Sequence, residues 1–230
     1  MLDIARTVAL LGMILFHFVK DMEVFGLIAS GTTLTGGWAI FARCIAGSFI
    51  FISGVSFVLA HSRGFDGKAW RRRFILIAGA ACLVTLATYA VFPSRFIYFG
   101  ILHAIAAASF LGLPFLFAPA WLALLGAAVI ISIFATVGGS LFPSPLMAWT
   151  GLSTAARASL DFLPVVPWFA AFLLGIAFAK VAPMDRLEPT WPKSFPARAL
   201  AWPGQHSLVV YLLHQPLLMA IIWMATQVML

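Results

Sequence analysis

His17 and Asp21 stand four residues apart in a stretch that is otherwise almost entirely apolar. On a helix that spacing puts both side chains on one face, within reach of a hydrogen bond. A carboxylate held on one imidazole nitrogen fixes the tautomer and frees the other nitrogen to act as a base or nucleophile. Lys20 and Glu23 close the same stretch and read as interfacial charges that end a helix. Arg43 is the arginine placed well inside a long apolar run. At a rise of about 1.5 Å per residue it matches the depth of Asp21, so a buried ion pair or a substrate anchor is expected there. His103 and His214 lie inside apolar runs too, and Pro216 follows the second of these. A lone histidine at such a place is often only an interhelical hydrogen bond. Polar groups at membrane depth are nevertheless costly and by default mark function. Asp161 precedes Pro164 and Pro167 and caps the helix that follows or meets a substrate.

The elements that must hold these residues follow from composition. Of 230 residues, 63% are hydrophobic and only 9% charged, with a mean hydropathy of +1.06. A soluble domain carries about 25% charged residues, so this chain cannot cover a surface that faces water. In lipid only helices or closed barrels satisfy their backbones, and the long unalternating apolar runs exclude a barrel. The expected fold is all-α, a polytopic transmembrane bundle of about seven spans forming a single domain over residues 1–230. The runs are Ile4 to Phe25, Trp38 to Ala60, Phe74 to Val91, Phe96 to Phe117, Trp121 to Val137, Pro164 to Lys180 and Ser207 to Val228. Each approaches the roughly 20 residues that cross a hydrocarbon core. Gly47 and Gly54, seven apart on the second run, offer a small face for close helix packing.

Basic residues orient the chain. Arg6, Arg63, Lys68, Arg71, Arg72, Arg73, Lys180, Arg186, Lys193 and Arg198 fall on one side, against Lys20, Arg95 and Arg157 on the other. The bias puts the N-terminus and both basic connections in the cytoplasm, and an odd span count puts the C-terminus outside. The first run lacks a small-residue cleavage site after it and reads as an uncleaved helix. The net charge of +7 is this topological bias and calls for no nucleic-acid partner. Cys44 and Cys82 both fall within spans, suggesting neither a disulfide framework nor a metal site.

Five blocks carry a resemblance. They are Leu2-Asp3-Ile4-Ala5-Arg6 leading to Met13-Ile14-Leu15-Phe16-His17-Phe18, then Phe49-Ile50-Phe51-Ile52-Ser53-Gly54, then Phe96-Ile97-Tyr98-Phe99-Gly100-Ile101-Leu102-His103. Asp161-Phe162-Leu163-Pro164-Val165-Val166-Pro167-Trp168 and Gly204-Gln205-His206-Ser207-Leu208-Val209-Val210-Tyr211-Leu212-Leu213-His214-Gln215-Pro216 complete the series. In this order they resemble the heparan-alpha-glucosaminide N-acetyltransferase catalytic-domain-like family of bacterial multi-pass membrane proteins. The resemblance implies an inner-membrane acetyltransferase that takes acetyl from cytoplasmic acetyl-CoA as co-substrate, without a metal. The acceptor it implies is an amino sugar or glycan of the cell envelope, met on the periplasmic side. By position His17 matches the family's catalytic histidine, with Asp21 its partner.

Acyl transfer needs a base for the nucleophile and a donor for the oxyanion. His17 is the base or the acetyl carrier, and His103 or Arg43 is placed to stabilise the oxyanion. Arg43, Asp161 and His214 are the expected substrate-binding residues. Arg63, Arg71, Arg72 and Arg73 suit CoA phosphates, which arginine binds bidentately, and serve equally as topology determinants. Two other classes stay open: a non-catalytic subunit of a larger membrane complex, or a homo-oligomer of it, and a transporter using the same buried polar groups.

Overall fold

In the computed structural model, which describes residues 2–182 and 195–229, the described residues are helical with no β-strand. Arg186 and Lys193, two of the basic residues used above for orientation, lie outside the described residues. Nine α-helices are described: α1 (Leu2–Val24), α2 (Gly36–Ala60), α3 (Gly67–Val91), α4 (Ile101–Leu111), α5 (Leu113–Phe117), α6 (Ala120–Val137), α7 (Val165–Val181), α8 (Phe195–Gln205) and α9 (Ser207–Met229). Five of them, α1, α2, α3, α6 and α9, are long and apolar enough to cross a membrane. The chain is a helical membrane protein.

One of the expected spans is shorter than the hydropathy suggests. The run Phe96 to Phe117 is not one helix, and its first five residues are not helical. They pair instead with a distant loop: Leu160 N–H donates to the Arg95 carbonyl at 2.8 Å and Leu163 N–H to the Phe99 carbonyl at 3.0 Å. The Ser159 hydroxyl donates to the Phe96 carbonyl at 3.0 Å. Helix α4 then stops at Gly112, and Pro114 opens the short α5, since proline has no N–H to continue the ladder. Helix α7 has 17 residues, the length of the run Pro164 to Lys180 expected there. Helix α8 falls where a connection was expected.

The chain divides into two compact units, Met1–Phe49 with Glu188–Leu230, and Ile50–Leu187. In the first, α1 packs on α8 and α9. Thr7, 1% exposed, joins α1 to α8: its hydroxyl donates to the Asp3 carbonyl at 3.0 Å and accepts from Gly204 N–H at 2.9 Å. One hydroxyl thus serves two backbone groups where neither meets water. Glu23 at the end of α1 holds the following loop. Its carboxylate accepts from Gly31 N–H at 2.8 Å, Thr33 N–H at 3.0 Å and the Thr33 hydroxyl at 2.6 Å, with Lys20 at 3.3 Å. Glu23 therefore does more than end the helix, since it fixes the loop that follows, and Lys20 pairs with Glu23.

In the second unit α6 packs along α7, α3 on α4, and α4 on α7. Asp66 caps α3, accepting from Lys68 and Ala69 N–H groups at 2.8 and 3.1 Å, which satisfies donors the helix cannot. The core is built from Ile50, Val55 and Phe57 of α2 and Phe172, Leu173 and Ile176 of α7. The close crossing of α2 and α7 comes from two glycines. A Cβ on Gly54 would sit 2.2 Å from the Phe172 carbonyl oxygen, and one on Gly175 would sit 2.2 Å from that of Phe51. Each backbone occupies the place of the other's missing side chain, the packing that small residues allow in lipid. Away from this core, leucines such as Leu76, Leu83 and Leu86 on α3 and Leu124 and Leu125 on α6 are exposed. Such faces suit hydrocarbon and not water.

Candidate functional site

Five of the polar residues singled out in the sequence gather in two places, His17, Asp21 and His214 in the first unit and His103 and Asp161 in the second. In the first unit, α1 and α9 place His17 against His214, their rings edge to face with centroids 5.1 Å apart. His214 is 8% exposed and Asp21 only 2%. The His214 Nδ1 lies 2.5 Å from the Tyr211 carbonyl oxygen. A carbonyl only accepts, so Nδ1 carries the proton and the neutral ring keeps its lone pair on Nε2. That Nε2 is buried and unpartnered.

The expected hydrogen bond between His17 and Asp21 is not among those of the described residues. Asp21 Oδ1 accepts instead from Gln215 Nε2 at 2.7 Å. Gln215, the neighbour of His214 on α9, arrives from a helix nearly two hundred residues along the chain, and no helical spacing reveals such a contact. Among the described residues Asp21 Oδ2 and Gln215 Oε1 have no hydrogen-bond partner, as His214 Nε2 has none. Three buried acceptor atoms therefore stand in this cluster without a donor, and each costs free energy until one arrives. Arg43 does not supply it. Its side chain is exposed, and among the described residues no ion pair joins it to Asp21, while Lys20 pairs with Glu23. The anticipated Asp21–Arg43 pair is replaced by the Asp21–Gln215 hydrogen bond.

The second unit holds His103 and Asp161 at the N-terminus of α4. His103 Nδ1 accepts from Gly100 N–H at 3.2 Å, so Nε2 bears the proton, 3.2 Å from the Thr85 hydroxyl. The Thr85 hydroxyl in turn donates to the Ile97 carbonyl at 2.7 Å. Both nitrogens of His103 are in use, and the ring ties α3 to the start of α4. Asp161 Oδ2 accepts from Ile101 N–H at 3.0 Å. It therefore caps α4, not the following α7, and an anion at a helix N-terminus also meets the helix dipole. Gly100 leaves room for it, since a Cβ there would meet Asp161 Oδ2 at 2.5 Å.

Burial pushes the Asp161 carboxyl up to about 6, against the opposing effect of the Ile101 hydrogen bond. A carboxyl raised in the folded state contributes stability that is fully present below its ordinary value of 3.8. That contribution is lost as pH rises through about 6. The thermal unfolding midpoint of Asp161→Asn in detergent is expected to exceed that of wild type by more at pH 7.5 than at pH 4.5. An equal difference at both pH values would mean that Asp161 does not titrate in this window.

Arg63, Arg71, Arg72 and Arg73 are exposed around the junction of α2 and α3. No group of three or more metal-ligating side chains occurs among the described residues.

A family model described as "Heparan-alpha-glucosaminide N-acetyltransferase, catalytic" matches residues 1–216. The chain belongs to this family. The match takes in all five blocks quoted above and runs through both compact units. Heparan-alpha-glucosaminide N-acetyltransferase catalytic domains are membrane acetyltransferases as a class, and the clusters just described are read in that light. No curated protein and no solved structure matches the chain. Within the family match, Gln215, Thr85 and Thr33 went unassigned in the sequence. Gln215 had a usable signal, being an amide deep in an apolar run; Thr85 and Thr33 had none, since threonine is common in such helices.

Proposed function

We propose that this protein carries acetyl groups across the bacterial inner membrane, from cytoplasmic acetyl-CoA to an amine or hydroxyl of an envelope sugar on the periplasmic side. The observation that carries the reading is the set of buried acceptors without donors, Asp21 Oδ2, Gln215 Oε1 and His214 Nε2, beside His17 in a family of acetyltransferases. A nucleophile that arrives as R–NH₂ or R–OH brings the donors this cluster lacks. In the reaction His17 takes a proton from the nucleophile as its nitrogen or oxygen attacks the thioester carbonyl. The C–S bond then breaks, and the CoA thiolate leaves with the proton that His17 returns to it, which restores the base. Asp21, held by Gln215, orients the nucleophile, and Arg43 anchors the sugar. His103 and Asp161 position α4, and Arg63, Arg71, Arg72 and Arg73 hold CoA phosphates.

The sidedness follows from a single domain of seven spans with a cytoplasmic N-terminus. Beside the five long helices, α4 with α5 and α7 each cover about 25 Å, near the lower limit for a span.

Sealed vesicles of known orientation test the proposal. Labelled acetyl-CoA is supplied on the cytoplasmic face and an amino sugar only on the other. Labelled sugar is expected on the far side. Product that forms only when both substrates share the cytoplasmic face would overturn the transmembrane route.

A further inference from the structure

Between the end of α6 and Arg157 the chain makes a connection poorly suited to water. No Asp, Glu, Lys or Arg occurs between Arg95 and Arg157, so the whole segment 138–156 is uncharged. Its large apolar side chains are nevertheless on the surface: Leu141, Phe142, Met147 and Trp149 are exposed, and Leu146 is 82% exposed. The segment is still a built piece of structure. A 3-10 turn, Pro145–Thr150, forms its middle. Ala148 and Ser153 are buried, and the Trp149 ring meets Phe99 with centroids 6.0 Å apart. A Cβ on Gly151 would collide with the Val166 carbonyl, so the segment lies close against the start of α7.

Its backbone is satisfied largely from within. Gly139 N–H donates to the Gly151 carbonyl at 3.1 Å, and Thr154 N–H to that of Phe142 at 3.0 Å. Leu141 and Phe142 N–H both donate to the Leu152 carbonyl, at 2.9 and 3.0 Å. Hydroxyls take up others: Ser144 Oγ accepts from Leu146 N–H at 3.3 Å, Thr150 Oγ1 from Leu152 N–H and Ser153 Oγ from Ala155 N–H, both at 3.1 Å. Pro143 and Pro145 have no N–H to satisfy. A loop in water needs none of this, because water serves its backbone groups; a segment against lipid does.

Exposed aliphatic side chains, a tryptophan, no charge and a self-satisfied backbone together suit the boundary between headgroups and acyl chains. The surface that α6 offers to lipid also runs into this segment. Leu125, Val129 and Phe134 are exposed along that helix, and the segment begins where α6 ends, at Val137. We infer that residues 139–155 form an interfacial anchor, seated in the bilayer boundary at the C-terminal end of α6 with Leu146 and Met147 in the lipid and Trp149 at its edge. The partner is the bilayer itself. Trp149 rests on Phe99, and Phe99 meets His103 with ring centroids 5.6 Å apart, so the anchor sets the depth of the start of α4. The inference needs α6 to cross the membrane, and does not need the protein to transfer acetyl groups.

Spin-label accessibility in phosphatidylcholine proteoliposomes tests it. In a chain carrying Cys44→Ala and Cys82→Ala, a nitroxide is attached at Leu146→Cys and, separately, at Met147→Cys. Leu146 lies on the surface, so its replacement leaves no cavity and spares the fold. Val129→Cys on α6 and Lys68→Cys beside the arginines are the references. Power saturation reads the ratio of collisions with oxygen, which concentrates in lipid, to collisions with a neutral nickel chelate, which stays in water. At both anchor positions the ratio is expected to stand several-fold above that of Lys68→Cys and to approach that of Val129→Cys. A ratio equal to that of Lys68→Cys would put the segment in water and overturn the inference. Few collisions with either reagent would overturn it as well, because protein, a second copy or another chain, then covers the segment.

Discussion

His17→Ala is expected to abolish acetyl transfer while the protein still accumulates in the membrane and purifies at wild-type yield. The His17 ring nitrogens make no hydrogen bond among the described residues, and the ring meets His214 only edge to face. Its removal therefore takes away little that holds α1 to α9. Thr7 and Gly204 keep their bond lower on α1, and Gln215 keeps Asp21. What is lost is the base, and general-base catalysis is commonly worth about 10²- to 10⁴-fold in rate. Lys20→Ala serves as the comparison. Lys20 lies one turn away and pairs with Glu23 at 3.3 Å, while Glu23 retains its three bonds to Gly31 and Thr33. Activity of Lys20→Ala should remain within about twofold of wild type, as a partly exposed ion pair contributes little. Equal losses in both variants, measured as initial rates on purified protein, would reduce the role of His17 to folding.

The largest effect on stability is expected at the α2–α7 crossing. Gly54→Ala forces a methyl group into the Phe172 carbonyl and Gly175→Ala one into the Phe51 carbonyl, each at 2.2 Å in the native backbone. The obstacle is main chain in both cases, so no rotamer change relieves it and the helices must separate. Overpacking of this kind costs about 1–3 kcal/mol, and the separation also loosens Phe57 from Phe172, now 5.6 Å apart. The unfolding midpoint in detergent should fall by roughly 5–10 °C for either variant. The double variant should fall by less than the sum, because helices already parted for one methyl admit the second. Strict additivity would show that the two contacts do not share one crossing.

Much of this architecture was legible because it rests on local composition. A mean hydropathy of +1.06 with 9% charged residues dictates helices in lipid, and five runs are long enough to be recognised singly. The fourth run was misread for a reason hydropathy does not register. Phe96 to Gly100 are apolar, but their backbone groups pair with residues 159–163 instead of continuing a helix. Extended and helical apolar segments have the same hydropathy.

The candidate site divides in the same way. Histidines, carboxylates and an arginine inside or beside apolar runs are conspicuous from their cost alone, so His17, Asp21, His103, Asp161 and His214 were singled out as candidates without coordinates. The sequence by itself determined which residues are too expensive to bury without purpose, and the class of chain that buries them. Their partners were decided only by the tertiary structure. Asp21 meets Gln215 and not His17 or Arg43, His214 turns to His17, Asp161 caps α4 and not α7, and Thr85 occupies the second nitrogen of His103. Helical spacing reports only neighbours three or four residues away. These pairs join helices far apart in the chain, and their choice depends on which helix faces pack and on which carbonyl or amide claims a nitrogen first.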